Sequence, residues 1–341
     1  MKTFFQLLFI FCFCCFFGSC CNKLQFPQNG LTIGFYNVEN LFDTIDDPHT
    51  DDKDFLPSGK NQWNTARYNH KINQLSRVIA SMDSTSPPHI IGLAEIENKH
   101  VLNDLVATTE LKSAAYDIVH FDSKDPRGIE VALLYQPKYF KLLTEKEMKV
   151  KMNAHSGEMR FVLYVKGIVA KEDTLHIFVN HWKSRSGGAK ETEPKRIRYA
   201  DFLREKADSL FRIDPNANIV ICGDLNDNPT DISIVEHLKA LPANRTIEAQ
   251  NLYNLSFIPF SEGAGTLYYQ NWDFFDQIIV SSNLLKKQAK SLCSSEITTI
   301  RHPWMLYTYK GKNRPNRTFS GGKYYGGFSD HLPVMIRLAY E

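Results

Sequence analysis

Ser329-Asp330-His331-Leu332-Pro333-Val334 sets an acid and an imidazole directly ahead of an apolar strand, as a catalytic pair held at a sheet edge would be. Asn37, Glu95, His181, Asp224, Asn226 and Asp276 share that habit, each standing at one end of an apolar run. Carboxylates and amide oxygens hold hard cations, and a carboxylate beside an imidazole fixes its tautomer and stabilises its charged form. Taken singly, the fragments also have plain structural readings. Asn37 suits a turn after a strand, and Glu95 the first turn of a helix. Gly223-Asp224-Leu225-Asn226-Asp227-Asn228-Pro229 suits a strand entering an Asx turn that caps the next helix, with Gly223 allowing a sharp turn.

The elements that must position these groups follow from periodicity. Leu31 to Val38 reads as a buried strand leading into an acidic loop (Asp43, Asp46, Asp47, Asp51, Asp52, Asp54) that lacks the spaced pattern of an EF-hand and is read as solvated. Tyr68, Ile72, Leu75 and Ile79 recur at helical spacing until Pro87-Pro88, and His89 to Ala94 is again an apolar strand. Further strands are expected at Tyr116 to Phe121, Ile129 to Tyr135, Phe161 to Ala170, Leu175 to Val179, Asn218 to Cys222, Phe275 to Val280 and Pro333 to Leu338. Helices are expected at Val101 to Thr108, from about Glu193 to Phe211, and after Asp231. Strands outnumber helices and several read as hairpin neighbours, which favours sheets packed face to face with helices outside.

Taken in order, Tyr36-Asn37-Val38-Glu39-Asn40, Leu93-Ala94-Glu95-Ile96-Glu97-Asn98, Asn180-His181-Trp182, Gly223-Asp224-Leu225-Asn226, Asp276-Gln277-Ile278 and Ser329-Asp330-His331 resemble the motifs of the endonuclease/exonuclease/phosphatase superfamily, over residues 31 to 340. The resemblance implies the DNase I-like fold: an α/β four-layer sandwich of two central, mostly antiparallel β-sheets flanked by helices, with the active site at one end of the sheets. It implies hydrolysis of a phosphate ester assisted by Mg²⁺, with Mn²⁺ or Ca²⁺ as alternatives. By the same resemblance Glu95 binds the metal, Asn37 contacts the metal shell or holds Glu95, and Asp330 lies near that shell. Asp276 pairs with His331. Asp224 positions or activates the water or protonates the leaving group, and Asn226 hydrogen-bonds a phosphate oxygen. His181 binds phosphate or serves as the general acid, with Glu130 in Arg127-Gly128-Ile129-Glu130-Val131 as its support. The other histidines, among them His49, His70, His155 and His237, are read as structural or solvated.

Substrate class is less legible. The formal net charge of +2 excludes neither nucleic acid nor small anions. Locally, Lys310, Lys312, Arg314, Arg317 and Lys323 are interleaved with Tyr309 and Phe319 and followed by Tyr324 and Tyr325, without an acidic residue, so cations to neutralise a backbone stand beside rings to stack on bases. Lys183, Arg185 and Lys190 extend that footprint, whose bland alternative is a solvated loop. Lys183, Arg185, Arg314 and Arg317 are the candidate substrate-binding residues, and nucleic acid is the expected partner. The alternatives are a phosphatase or a lipid or inositol phosphodiesterase acting on a small headgroup, and a non-catalytic binding lipoprotein. The Pro-x-Trp-x-Asp-Arg signature of inositol polyphosphate phosphatases is missing, since Trp272 stands in Asn271-Trp272-Asp273-Phe274.

Met1-Lys2-Thr3 followed by a Phe/Leu/Cys run to Phe17-Gly18-Ser19-Cys20 has the charged start, short apolar core and small-residue exit of an export signal. Its end resembles a bacterial lipobox. The expected organisation is a lipoprotein signal peptide over 1–19, a tether over 20–30 beginning at a lipidated Cys20, and the catalytic domain over 31–341, the alternative being a plain signal peptide. The expected address is an exported, membrane-anchored lipoprotein facing the periplasm or cell exterior. No protein partner is inferable. Five of the seven cysteines lie in or beside the signal, leaving Cys222 and Cys293, too few for a disulfide framework.

Overall fold

In the computed structural model, residues 24–123, 125–152, 159–286, 291–294 and 296–340 are described. The signal segment, Cys20 and His155 lie outside them. Alternation along the strands decides the layers. In β1 (Leu31–Leu41), Leu31, Ile33 and Phe35 face one core while Tyr36 and Val38 face another, because successive strand side chains point to opposite sides. Helix α1 (Thr65–Ala80) begins where Asn64 accepts the Arg67 N–H, and it buries Tyr68, Ile72, Leu75 and Ile79. Strand β2 (Ile90–Ile96) ends at Asn98, whose side chain caps α2 (Lys99–Val106). Then come β3 (Asp117–His120), β4 (Glu130–Tyr135), β5 (Lys141–Met148), β6 (Val162–Ile168), β7 (Thr174–His181), α3 (Ala189–Ile213), β8 (Asn218–Asp224), β9 (Ala240–Pro242), β10 (Leu252–Asn254) and α4 (Phe257–Ser261). The chain continues through β11 (Leu267–Tyr268), β12 (Trp272–Asp273), β13 (Asp276–Ser281), β14 (Leu292–Ser294), β15 (Thr298–Thr299), β16 (Leu306–Tyr309), β17 (Lys312–Pro315), β18 (Phe319–Ser320) and β19 (Lys323–Tyr324) to β20 (Val334–Tyr340).

Two seven-stranded sheets result. One runs β14-β20-β1-β2-β4-β3 with β15 also on β20, and the other runs β5-β6-β7-β8-β13-β10-β9. Only β1/β2, β7/β8 and β9/β10 are parallel, so both sheets are mostly antiparallel. Three apolar clusters fill the spaces between four layers. Phe35, Leu163, Ile177, Val220, Ile278 and Ile336 lie between the sheets. Tyr36, Leu75, Ile79 and Leu134 join the first sheet to α1 and α2. Phe178, Tyr199, Leu203, Ile221 and Ile279 join the second sheet to α3. Each fully buried Leu or Ile contributes about 1.5–3 kcal/mol relative to exposure, so the strand ends stand on rigid supports.

At the opposite end of β1, His89 fastens the parallel pair. Its Nδ1 accepts the Thr32 N–H at 3.0 Å, and its own N–H donates to Thr32 Oγ1 at 3.1 Å. Burial pushes this imidazole down to about 4, with Asp83 opposing the shift and Arg337 adding to it.

The expected sandwich is the observed one, with differences in detail. After Asp231 the chain forms one π-helical turn, Ser233–His237, in place of an α-helix. Strand β5 was not expected, because Lys141–Met148 lies on the sheet edge with mostly exposed, charged residues and no apolar run. Within the acidic loop, Asp43 and Asp52 are buried rather than solvated. Among the described residues, no helix is long and apolar enough to cross a membrane.

Candidate active site

Strand register assembles half of the site. Parallel pairing of β7 and β8 sets His181 opposite Asp224, and antiparallel pairing of β8 and β13 sets Asp276 opposite the same Asp224. Three polar groups thus end three adjacent strands. Gly223 contributes closeness rather than the sharp turn expected of it, since a Cβ there would stand 2.4 Å from the Asn180 carbonyl oxygen on the neighbouring strand. The other sheet delivers Asn37 from β1 and Glu95 from β2. Glu95 sits where the pairing register shifts between Ala94 and Ile96 and has φ 66°, so the bulge re-aims its carboxylate. Glu39, Asn40 and Asn226 also adopt left-handed backbone, at φ 54°, 54° and 52°. Such conformations are costly for residues with a Cβ and collect where function fixes a side chain.

The contacts are tight. His331 Nδ1 lies 2.7 Å from Asp276 Oδ2, leaving Nε2 toward the cleft, 3.8 Å from Asp224 Oδ2 and 3.9 Å from Asp330 Oδ1. Asp224 is held from both sides, by Asn37 Nδ2 donating to Oδ2 at 3.0 Å and the Asn226 N–H donating to Oδ1 at 3.0 Å. Asn226 Nδ2 donates to the Trp182 carbonyl at 3.2 Å, which fixes its side chain beside β7. His181 Nε2 lies 3.7 Å from both Glu95 Oε1 and Asp224 Oδ2, and the Asn40 N–H donates to Glu95 Oε2 at 2.9 Å.

Environment separates the two imidazoles. Burial alone would lower His331, but Asp276 and Asp224 outweigh it and raise its pKa well above the usual histidine value. His181 goes the other way, driven well below that value by burial and then by Arg160, Arg127, His331 and Lys183. Burial pushes Asp224 up to about 7, against the pull of His331. One imidazole is therefore held cationic, one neutral, and a carboxylate is set to exchange protons near neutrality, a split that marks acid and base roles.

The sequence matches the model of the Endonuclease/Exonuclease/phosphatase family over residues 32–340. This chain belongs to that family. Solved structures agree on the fold. A humanized D. rerio TDP2 has 15% identity and a TM-score of 0.56, covering 91% of this chain and 99% of its own. A Bacteroides thetaiotaomicron mannosyl-6-phosphatase has 18% identity and a TM-score of 0.54, with 91% and 100% coverage. A D. rerio TDP2 complexed with single strand DNA product has 15% identity and a TM-score of 0.53, with 91% and 98% coverage. No curated protein sequence matches.

Of the residues singled out in the sequence, Asn37, Glu95, His181, Asp224, Asn226, Asp276, Asp330 and His331 come together at this one end of the family fold. A hard divalent ion fits at Glu95, whose Oε2 accepts the Asn40 N–H while Oε1 stands 3.7 Å from His181 Nε2, and at Asn37, which pairs with Ala94 on the neighbouring strand and whose amide oxygen also accepts the Glu39 N–H at 3.0 Å. Among the described residues no three His, Cys, Asp or Glu side chains form a ready metal cage, but Mg²⁺ needs only one or two protein oxygens when water and phosphate complete its shell. Asp330 is less free, because Arg317 Nη2 holds its Oδ2 at 2.8 Å.

Other candidates stand elsewhere than expected. Glu130 gives His181 no hydrogen bond; it accepts Ser123 Oγ at 2.7 Å, while its Oε2 and His181 Nδ1 are both buried without a hydrogen-bond partner among the described residues. Arg185 is spent on its own loop, donating to the Asn226 carbonyl at 2.8 Å and Asp227 at 2.9 Å and lying over the Phe275 ring. Arg314 lies over the Tyr268 and Tyr309 rings. Arg317 bridges Asp330 to Glu39. Of the four proposed substrate contacts, Lys183 lines a cavity beside β7. Sequence reasoning passed over Glu39, which is buried and accepts the Thr318 N–H at 2.6 Å, so that it ties the segment around Arg317 to the site. It also passed over Arg127 and Arg160, whose charges bear on His181. Their one signal was a place near a motif, Arg127 three residues before Glu130.

Proposed function

We propose that this family member hydrolyses phosphodiester bonds of nucleic acid with a divalent cation, Mg²⁺ in first place and Mn²⁺ or Ca²⁺ as alternatives, held by Glu95 and Asn37. The observation that carries the reading is Asp224: a buried carboxylate raised to about 7, 3.8 Å from an imidazole that Asp276 keeps charged. The ion supplies charge neutralisation and a more acidic water, the two things a phosphodiester most needs. From the chain itself, His331 Nε2 donates to a phosphate oxygen and stabilises charge that grows in the transition state. Asp224 either takes the proton of the attacking water or protonates the leaving oxygen. Asn226 and the neutral His181 bracket the phosphate. Nucleic acid is favoured by exposed Lys310, Lys312 and Lys323 standing with exposed Tyr309 and Tyr325, and by the fold shared with a protein whose structure contains a single strand DNA product.

A small phosphorylated headgroup is the second reading, favoured by the tied-down Arg185, Arg314 and Arg317 and by the fold shared with a mannosyl-6-phosphatase. An export signal with lipidation at Cys20 would set either chemistry outside the inner membrane. Hydrolysis of DNA, RNA, bis(p-nitrophenyl) phosphate and sugar and inositol phosphates, each with and without EDTA, tests the proposal. DNA or RNA cleavage abolished by EDTA is expected. EDTA-insensitive turnover would overturn the metal role, and turnover confined to small phosphomonoesters would overturn the nuclease reading.

A further inference from the structure

Beyond the end of β7 the chain opens a cavity of about 590 Å³, walled on its apolar side by Met159, Phe161 and Tyr199. Glu95, Asp224 and His331 do not line it, so it is a separate space from the centre described above. It joins that centre through Lys183, two residues after His181, which is at most about 7 Å of chain. Among the described residues five cations line it (Arg127, Lys149, Arg160, Lys183 and Lys195) against the three carboxylates Asp122, Asp125 and Glu147. Two of these carboxylates are already engaged. Asp125 accepts Arg160 Nε at 2.8 Å, and Glu147 lies 3.7 Å from Lys149. Among the described residues no ion pair engages Arg127, Lys183 or Lys195; Arg127 Nη2 donates to Asn40 Oδ1 at 3.2 Å, and the carboxylate whose charge reaches Lys183 is Asp125, itself paired with Arg160.

The cavity is built and not incidental. Arg160 is clamped on three sides, by Asp125, by its own Nη1 donating to the Trp182 carbonyl at 3.2 Å, and by Tyr199 Oη donating to its carbonyl at 2.9 Å. Lys195 and Tyr199 lie four residues apart on α3 and so present one face to the cavity. Like charges held together repel unless an anion joins them, and Lys183 registers this, its pKa lowered first by burial and then by Arg160, Lys195 and Arg127.

We propose that this cavity is an anion subsite that takes a second phosphate of the same substrate molecule while the first lies between His181 and His331. The inference rests on the phosphoesterase reading and deepens it, since it makes the preferred substrate one with two phosphates a short span apart. That phosphate comes either from the next nucleotide of a strand or from a free phosphate on a small headgroup.

The test compares KM for a dinucleotide with and without a 5′-phosphate, and for a sugar phosphodiester with and without a second phosphate, in wild type, Lys195→Gln and Lys183→Gln/Lys195→Gln. Thermal melting confirms that both variants fold. The second phosphate is expected to lower the wild-type KM about tenfold or more, the scale of one or two charge-assisted contacts. The double variant should lose most of that gain. Lys195→Gln should lose part of it while leaving bis(p-nitrophenyl) phosphate turnover as it was. The substrate family that shows the gain identifies its source. No gain in wild type, or a gain that survives in the double variant, overturns the subsite. Calorimetric titration with pyrophosphate in EDTA separates this from failure of the catalytic reading. Binding that needs Lys183 and Lys195 in a protein inert toward every ester leaves the subsite standing and the phosphoesterase reading fallen, and absence of both overturns both.

Discussion

Asp224 carries the proposed chemistry, as a carboxylate raised to about 7 and held by two N–H donors. Its neighbour His331 depends on Asp276 for both tautomer and charge, so these two should fail together. His331→Ala is expected to lower kcat by about 10² to 10⁴, the usual contribution of a positioned acid or base. Asp276→Asn should cost nearly as much. The double variant should be little worse than His331→Ala alone, because residues acting as one unit do not lose activity multiplicatively. Steady-state kinetics on the three proteins decide it, and fully multiplicative losses would mean the two side chains work separately. Glu95 makes a different prediction. Glu95→Ala should raise the magnesium concentration for half-maximal activity by roughly tenfold or more, since the carboxylate proposed to hold the ion is gone. Near-normal turnover of the variant at low magnesium would remove Glu95 from the metal.

At the level of elements, the strand ends were readable in the sequence and the spaces between elements were not. Asn37, Glu95, His181, Asp224, Asp276 and His331 each close or open an apolar run, and register alone then aligns His181, Asp224 and Asp276. Arg317 read as a substrate-binding residue because a run of cations in sequence shows no partners, and Glu39, its partner, lies 278 residues away. Arg185 likewise shows no partner in the sequence, since Asp227 approaches it only after β8 has turned. The segment from Tyr309 to Tyr325 is therefore a less basic surface than its sequence implies, and its exposed cations are Lys310, Lys312 and Lys323, the first and last lying over Tyr309 and Tyr325. Converting those three to Gln should weaken DNA or RNA binding and lower the slope of log K against log salt by about one for each phosphate left unneutralised, while a small chromogenic diester is hydrolysed as before. A slope identical to wild type would show that the strand does not run over this hairpin pair. Gly223 yields an element-scale prediction of its own. Gly223→Ala would drive a methyl into the Asn180 carbonyl, 2.4 Å away, and push apart the pairing that sets His181 against Asp224. A loss of about 1–3 kcal/mol in urea unfolding is expected from such overpacking, together with a fall in kcat; unchanged stability would refute the close approach.

For the molecule as a whole, the buried titratable groups set opposing slopes of stability against pH. Glu97 and Glu130 are raised by burial to about 8, so the folded state keeps protons that the unfolded chain releases, and their contribution is lost as pH climbs from the ordinary carboxylate range toward 8. His89, His120 and His176 are lowered by burial to about 4, so the folded state resists protons that the unfolded chain takes up. Their contribution is complete above about 6.5, the ordinary histidine value, and is lost as pH falls toward 4. His89 is the informative member because its neutral Nδ1 accepts the Thr32 N–H that starts the β1/β2 pair, far from any metal or substrate. His89→Gln keeps an acceptor for that N–H and removes the titration. Between pH 7.5 and pH 5 wild type should lose about 1–2 kcal/mol relative to His89→Gln, the linkage expected of this shift after discounting for screening. Urea unfolding of both proteins at the two pH values measures the difference directly, and Glu97 and Glu130 cancel from it because both proteins carry them. A stability gap that does not change with pH would show that His89 titrates in the folded protein much as it does in water, and that the hydrogen bond to Thr32 is not what holds the two parallel strands at their start.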